Sequence, residues 1–176
     1  MTEGVMSEPI TAEELRRRAV LVRKGNQFED MREGRVFAHH WGRTITDGDN
    51  ATFTTQTLSF CPLYFNAPYA RSMGHPRVQV NPLLVFNTVF GLSVEDLSEG
   101  GGPFLGVDGC EFRHPVYVGD TLTARSTVLS ARESKGQPGF GIVTWHTEGF
   151  NQDGDRVIDF TRTNLVRKRN PGGDAP

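Results

Sequence analysis

The sequence predicts an α+β domain in which an antiparallel sheet curls around one buried helix. Three observations carry this expectation. The first half holds helix-start signals. The middle holds a segment apolar on nearly every side, PLLVFNTVFGL at residues 82–92. The second half holds four runs rich in β-branched and aromatic residues. A helix apolar all round has no face to give to water, so something must enclose it. Helices first and strands after is an α+β order, and the strands supply the enclosure.

The elements follow in chain order. Thr11, with Glu14 three residues on, is a capping-box pair that predicts a helix over residues 12–22, ended by Gly25. Residues 35–43 read as a strand. Thr46 and Asp49 repeat the helix-start spacing ahead of a short helix over residues 51–58. Residues 59–66 are aromatic with an internal proline and read as a structured loop. Residues 66–73 add a helical turn that Gly74-His75-Pro76 breaks. Pro82 suits the first turn of the apolar helix, which only Asn87 and Thr88 interrupt. Strands are predicted over residues 103–114, 120–133, 139–151 and 156–167, forming a meander with turns at 118–120, 135–139 and 151–154. The organisation expected is a helical extension over residues 1–24, one domain over 25–168, and a disordered tail over 169–176.

Composition narrows the partners. The chain has 176 residues, and 19 Lys+Arg against 21 Asp+Glu leave a net charge of −2. No basic face is implied, so no nucleic-acid partner is expected. No apolar run is long enough to span a membrane, and residues 1–18 lack the apolar stretch of a secretory signal. Cys61 and Cys110 form no CxxC pair, which makes a reducing cytoplasm the expected setting. No zinc-ligand spacing occurs, so no metal is expected. His39 and His40, being adjacent, should point to opposite faces of their strand.

The segment EFRHPVYVGDTL at residues 111–122 resembles the F-x-x-P-V-x-x-G-D-T-L stretch of MaoC-like hydratases. Gly25-Asn26-Gln27-Phe28-Glu29-Asp30, Arg43-Thr44-Ile45-Thr46, Arg132-Glu133-Ser134-Lys135 and residues 149–154 (GFNQDG) resemble the branch of mesaconyl-CoA hydratases, or β-methylmalyl-CoA dehydratases. The resemblance covers roughly residues 25–168. It implies a hotdog fold and a dimer with a continuous sheet. It also implies a hydro-lyase acting on an acyl thioester carried on CoA or an acyl-carrier protein, with no cofactor. In that family an Asp and a His on the loop before the buried helix add or remove water. A backbone N–H at the helix start holds the thioester oxygen as it gains negative charge.

This chain departs from the pattern at the decisive positions. The family motif is Asp-x-Asn-Pro-Leu-His, and the matching stretch here is Ser59-Phe60-Cys61-Pro62-Leu63-Tyr64. Ser59 replaces the Asp and Tyr64 the His. The helix start, His-Gly in the family, is Asn81-Pro82 here, and proline has no N–H to give. The resemblance therefore places Tyr64, Ser59 and Asn81 as the catalytic candidates. Phe60, Cys61, Phe65, Asn66, Pro82, Leu83 and His114 are the substrate-binding candidates. Three readings stay open: an acyl-thioester hydratase or dehydratase with altered chemistry, an enzyme of another reaction on a similar acyl thioester or polyketide-like substrate, such as cyclisation or isomerisation, and a non-catalytic hotdog subunit that binds acyl-CoA or stabilises a partner. The expected assembly is a homodimer, or a heterodimer with a second hotdog protein.

Other residues have plainer explanations. Asp49 suits helix capping better than catalysis. Asp47 and Asp120 read as turn residues. Cys61 reads as a small core filler, Arg132 and Lys135 as solvated turn residues. His75 and His114 are the reserve acids or bases, each more simply a surface or satisfied histidine.

Overall fold

The computed structural model describes residues 11–19 and 25–170. Helix α1 (Ala12–Arg18) opens with the Glu14 amide donating to Thr11 Oγ1, as the capping pair predicts. The last residues of the expected first helix, and most of the expected tail, lie outside the described residues.

The sheet has six strands: β1 (Val36–Ala38), β2 (Arg43–Thr44), β3 (Phe104–Phe112), β4 (Thr121–Glu133), β5 (Phe140–Phe150) and β6 (Arg156–Arg167). All pairings are antiparallel, in the order β1-β4-β5-β6-β3, with β2 also on β4. Two expectations are corrected. The single strand over residues 35–43 is two short strands, because Arg43–Thr44 pairs with a different stretch of β4 from Val36–Ala38. The meander holds only for β4, β5 and β6. β3 crosses over to pair with β6 and becomes an edge.

Helix α2 (Asp47–Gln56) starts earlier than its apolar residues suggest, because its capping box is complete. Asp49 N–H donates to Thr46 Oγ1, and Thr46 N–H donates to Asp49 Oδ2. That box and Arg43 hold the Asp49 carboxyl below its ordinary pKa. A 3-10 turn (Pro62–Tyr64) and α3 (Ala67–Ser72), capped by Asn66, follow.

Helix α4 (Pro82–Leu92) occupies the predicted range and lies in the curl of the sheet. Val85 and Val89 are buried with Leu122, Ala124, Ile158 and Phe160, while Leu84, Phe86 and Phe90 pack at the margin. The approach is close at Gly149, where a Cβ would stand 2.6 Å from Val89 Cγ2. Only glycine fits there, which explains a glycine in mid-strand. Helix α5 (Val94–Leu97) continues from α4 and carries Leu97 into a second core with Phe37, Val128, Val143, Trp145 and Val166. This is the hotdog arrangement. His39 is buried and His40 exposed, but both lie just past the end of β1 rather than on a strand.

Candidate functional site

Asn50, near the middle of α2, organises the region around the start of α4. Its Nδ2 donates to the carbonyls of Tyr64 (2.8 Å) and Gln79 (2.9 Å), and its Oδ1 accepts from the Asn81 amide at 2.9 Å. The Gln79 N–H donates to Leu63 O at 3.0 Å. One buried amide and one backbone bond thus join the 3-10 turn, the 75–81 segment and the helix start. Sequence reasoning missed Asn50, because an asparagine in the first turns of a helix looks like one more capping residue.

The expected site residues fall into three groups. Ser59 and Tyr64 flank the turn and are half-buried. Burial pushes the Tyr64 phenol above its ordinary pKa, so near neutral pH it is a donor and not a base. Asn81 is only 1% exposed. Its Oδ1 accepts from the Leu83 N–H at 3.0 Å, and its Nδ2 lies 3.4 Å from Thr54 Oγ1. The amide is turned inward as a cap. To reach a thioester oxygen it would have to leave that cap. Phe60, Phe65 and Leu83 present their side chains to solvent, and Cys61 is half-buried rather than packed in the core. Asn66 spends its side chain on capping α3.

The third group lies on a cavity. Pro82 and His114 line an opening of about 250 Å³ between the start of α4 and the β3–β4 connection, with Gln79, Val85, Phe112 and Arg113. His114 is exposed; its backbone N–H donates to Val157 O, and its ring has no hydrogen-bond partner among the described residues. Arg113 is held by Asp159 and Glu111. Beside the cavity, His75 Nδ1 lies 3.1 Å from Tyr117 Oη, and Gln79 Nε2 lies 3.0 Å from both ring nitrogens of His75. Asp120 is indeed a turn residue, accepting from the Tyr117 N–H, but it is also buried and paired with Arg77.

The helix start itself offers little to an oxyanion. The Asn81 N–H is bonded to Asn50, Pro82 has none, Leu83 is capped, and Leu84 donates to Asn81 O. Among the described residues no group of three or more His, Cys, Asp or Glu could hold a metal ion, and no helix is long and apolar enough to cross a membrane.

Comparison with known proteins places this architecture. The family model described as mesaconyl-CoA hydratase matches residues 6–174. The chain belongs to the mesaconyl-CoA hydratase family. The mesaconyl-CoA hydratase of Haloarcula hispanica is 38% identical over 167 residues, covering 94% of this chain and 47% of that protein. The β-methylmalyl-CoA dehydratase of Chloroflexus aurantiacus is 41% identical over 152 residues, covering 86% and 43%. The crystal structure of a MaoC domain dehydratase from Chloroflexus aurantiacus superposes with a TM-score of 0.82 at 39% identity, covering 90% of this chain and 45% of that one. The chain thus spans about half the length of the curated family members it matches.

Proposed function

We propose that the chain is an acyl-thioester hydratase or dehydratase acting on short, branched, unsaturated thioesters of the mesaconyl-CoA kind. The observation that carries this reading is the family match over nearly the whole chain, supported by a cavity at the start of the buried helix. The mesaconyl and β-methylmalyl thioesters named by the relatives differ by one water across a double bond. The reaction needs no cofactor: it needs a donor to the thioester oxygen, a positioned water and a proton carrier. Tyr64, kept protonated by burial, donates to the thioester oxygen as the enolate develops. Ser59 orients the water. Asn81 contributes by fixing the helix start, Pro82 and His114 line the acyl path, and Leu83, Phe60, Cys61, Phe65 and Asn66, outside that cavity's lining, are the further substrate-contact candidates. The carrier is CoA or an acyl-carrier protein, and the setting is the cytoplasm.

A second hotdog unit completes the groove. β3 is an edge strand whose Phe104, Leu105 and Phe112 are about half exposed. An apolar edge of this length invites strand pairing, and the relatives continue for as long again as this chain. A homodimer with a continuous sheet satisfies both, and sedimentation at micromolar concentration tests it. A monomer there contradicts it, and dimerisation only with a second hotdog protein replaces it with a heterodimer.

One observation favours a second reading, a non-catalytic subunit: no backbone N–H at the start of α4 is free for an oxyanion. The absorbance of the conjugated thioester decides between the two. Purified protein that bleaches mesaconyl-CoA or crotonyl-CoA is a hydratase. Protein that binds either without bleaching it is the subunit.

A further inference from the structure

We propose that His75 is the proton carrier of this site, doing the work of the histidine that Tyr64 has displaced. This rests on the reading above that the chain hydrates an enoyl thioester. Hydration needs a group that takes the proton water sheds and returns one to carbon, and such a group works best with a pKa near the working pH. Ser59 is no base without a partner, and burial keeps Tyr64 protonated. Asp49 is committed to its capping box and to Arg43. Asp120 is committed to Arg77 and to the Tyr117 amide.

His75 pairs only with neutral groups. Its ring is half-buried, with Nδ1 3.1 Å from Tyr117 Oη and Gln79 Nε2 3.0 Å from both ring nitrogens. Gln79 is the common neighbour. Its side chain meets His75, its residue lines the cavity, and its backbone is joined to the loop that carries Tyr64 through Leu63 O and Asn50. Gln79 stands between the cavity and the imidazole, so proton transfer requires one bridging water, a reach that general acid–base catalysis tolerates. The charged groups facing the ring's surroundings are Arg77, whose guanidinium carbon lies 5.7 Å from the centre of the Tyr117 ring, and Asp120, which neutralises it. The ring of His114, on the cavity wall, has no partner among the described residues to orient it and serves as wall.

The step balances within the site. Water's oxygen bonds to the β-carbon as the C=C π pair moves toward the thioester oxygen, which Tyr64 supports. The proton that water releases passes to neutral His75. The imidazolium then returns a proton to the α-carbon, leaving the hydroxyacyl thioester and the original imidazole.

The test uses the full chain with mesaconyl-CoA and crotonyl-CoA as probes. His75→Gln should lower kcat by about 100-fold or more, with KM within about threefold, and should remove the acidic limb of the kcat/KM–pH profile. Tyr117→Phe should keep most of the turnover but displace that limb. Added imidazole should restore part of the turnover of His75→Ala. Undiminished turnover with the limb intact in His75→Gln overturns the proposal. So does a loss that tracks a lowered Tm and ignores imidazole, because His75 is then structural. A folded wild type silent on both probes sinks the hydratase reading itself, and this inference with it.

Discussion

The two ends of α4 are anchored by different chemistry. At its start the anchors are neutral: Asn50, Asn81 and Thr54 share bonds around a helix that opens onto a cavity. Beyond its end lies a buried cation. Arg162 is 1% exposed, donates to Ser93, Ser98 and Asn164, and has its guanidinium carbon 4.1 Å from the centre of the Phe90 ring. Burial lowers its pKa to about 10, still far above neutrality, so it stays charged. Nearby, His39 lies between Asp96 (2.6 Å) and Ser126 (2.9 Å), and Ser126 meets Thr147 at 2.8 Å. With the ring neutral, Nδ1–H donates to the carboxylate and Nε2 accepts from the Ser126 hydroxyl. One end is a sealed polar lock made to stay shut. The other uses uncharged bonds and leaves room for a ligand. Polarity at a helix end thus marks a site only when a cavity lies beside it.

Substitutions should separate the two ends. Arg162→Ala should be the most damaging, because it empties a packed volume and strips three acceptors at once. A loss of about 3–5 kcal/mol in denaturant unfolding is expected. A loss under about 1 kcal/mol would make the lock ornamental. Phe86→Ala, at the margin of the core, should cost about 2–4 kcal/mol. Asn50→Ala should cost about 2–3 kcal/mol for its three bonds, and unlike Arg162→Ala it should also raise KM at the neutral end. Tyr64→Phe should leave stability nearly unchanged and lower kcat at least about tenfold, or roughly 1.4 kcal/mol of barrier. Undiminished turnover removes Tyr64 from the chemistry.

The smallest effect is on pH. Burial, the largest influence on His39, lowers its pKa against the pull of Asp96. The folded state therefore prefers the neutral ring. As pH falls below about 6.5, the unfolded chain gains a proton that the folded chain refuses, and stability declines. The carboxylates at Asp30, Asp49, Glu148 and Asp159 are shifted down and stay charged in that range. A His39→Gln variant should lose the decline between about pH 6.5 and 5. An unchanged slope would place its origin elsewhere.

What the sequence disclosed follows the same division. α4 and the Thr46–Asp49 box were legible because apolar continuity and capping spacing are local signals. Strands β4 to β6 were legible through their side-chain types. The β3–β6 pairing was not, because which strand forms the edge depends on contacts some fifty residues apart. The His39–Asp96 and Arg162–Ser93 contacts join residues 57 and 69 positions apart, and no spacing rule reaches that far. At the site, the motif resemblance located the loop. It could not show that Asn81 faces inward, that Asn50 does the joining, or that His75 stands beside Tyr117.

The most direct measurement is a crystal structure with mesaconyl-CoA or its hydrated product bound. The account predicts the thioester oxygen within about 3 Å of Tyr64 Oη, with the acyl group against Pro82 and Gln79 and a water between the β-carbon and His75. An acyl group seated away from the start of α4, for instance in the shallow groove beside Asp49 and Phe53, would contradict it.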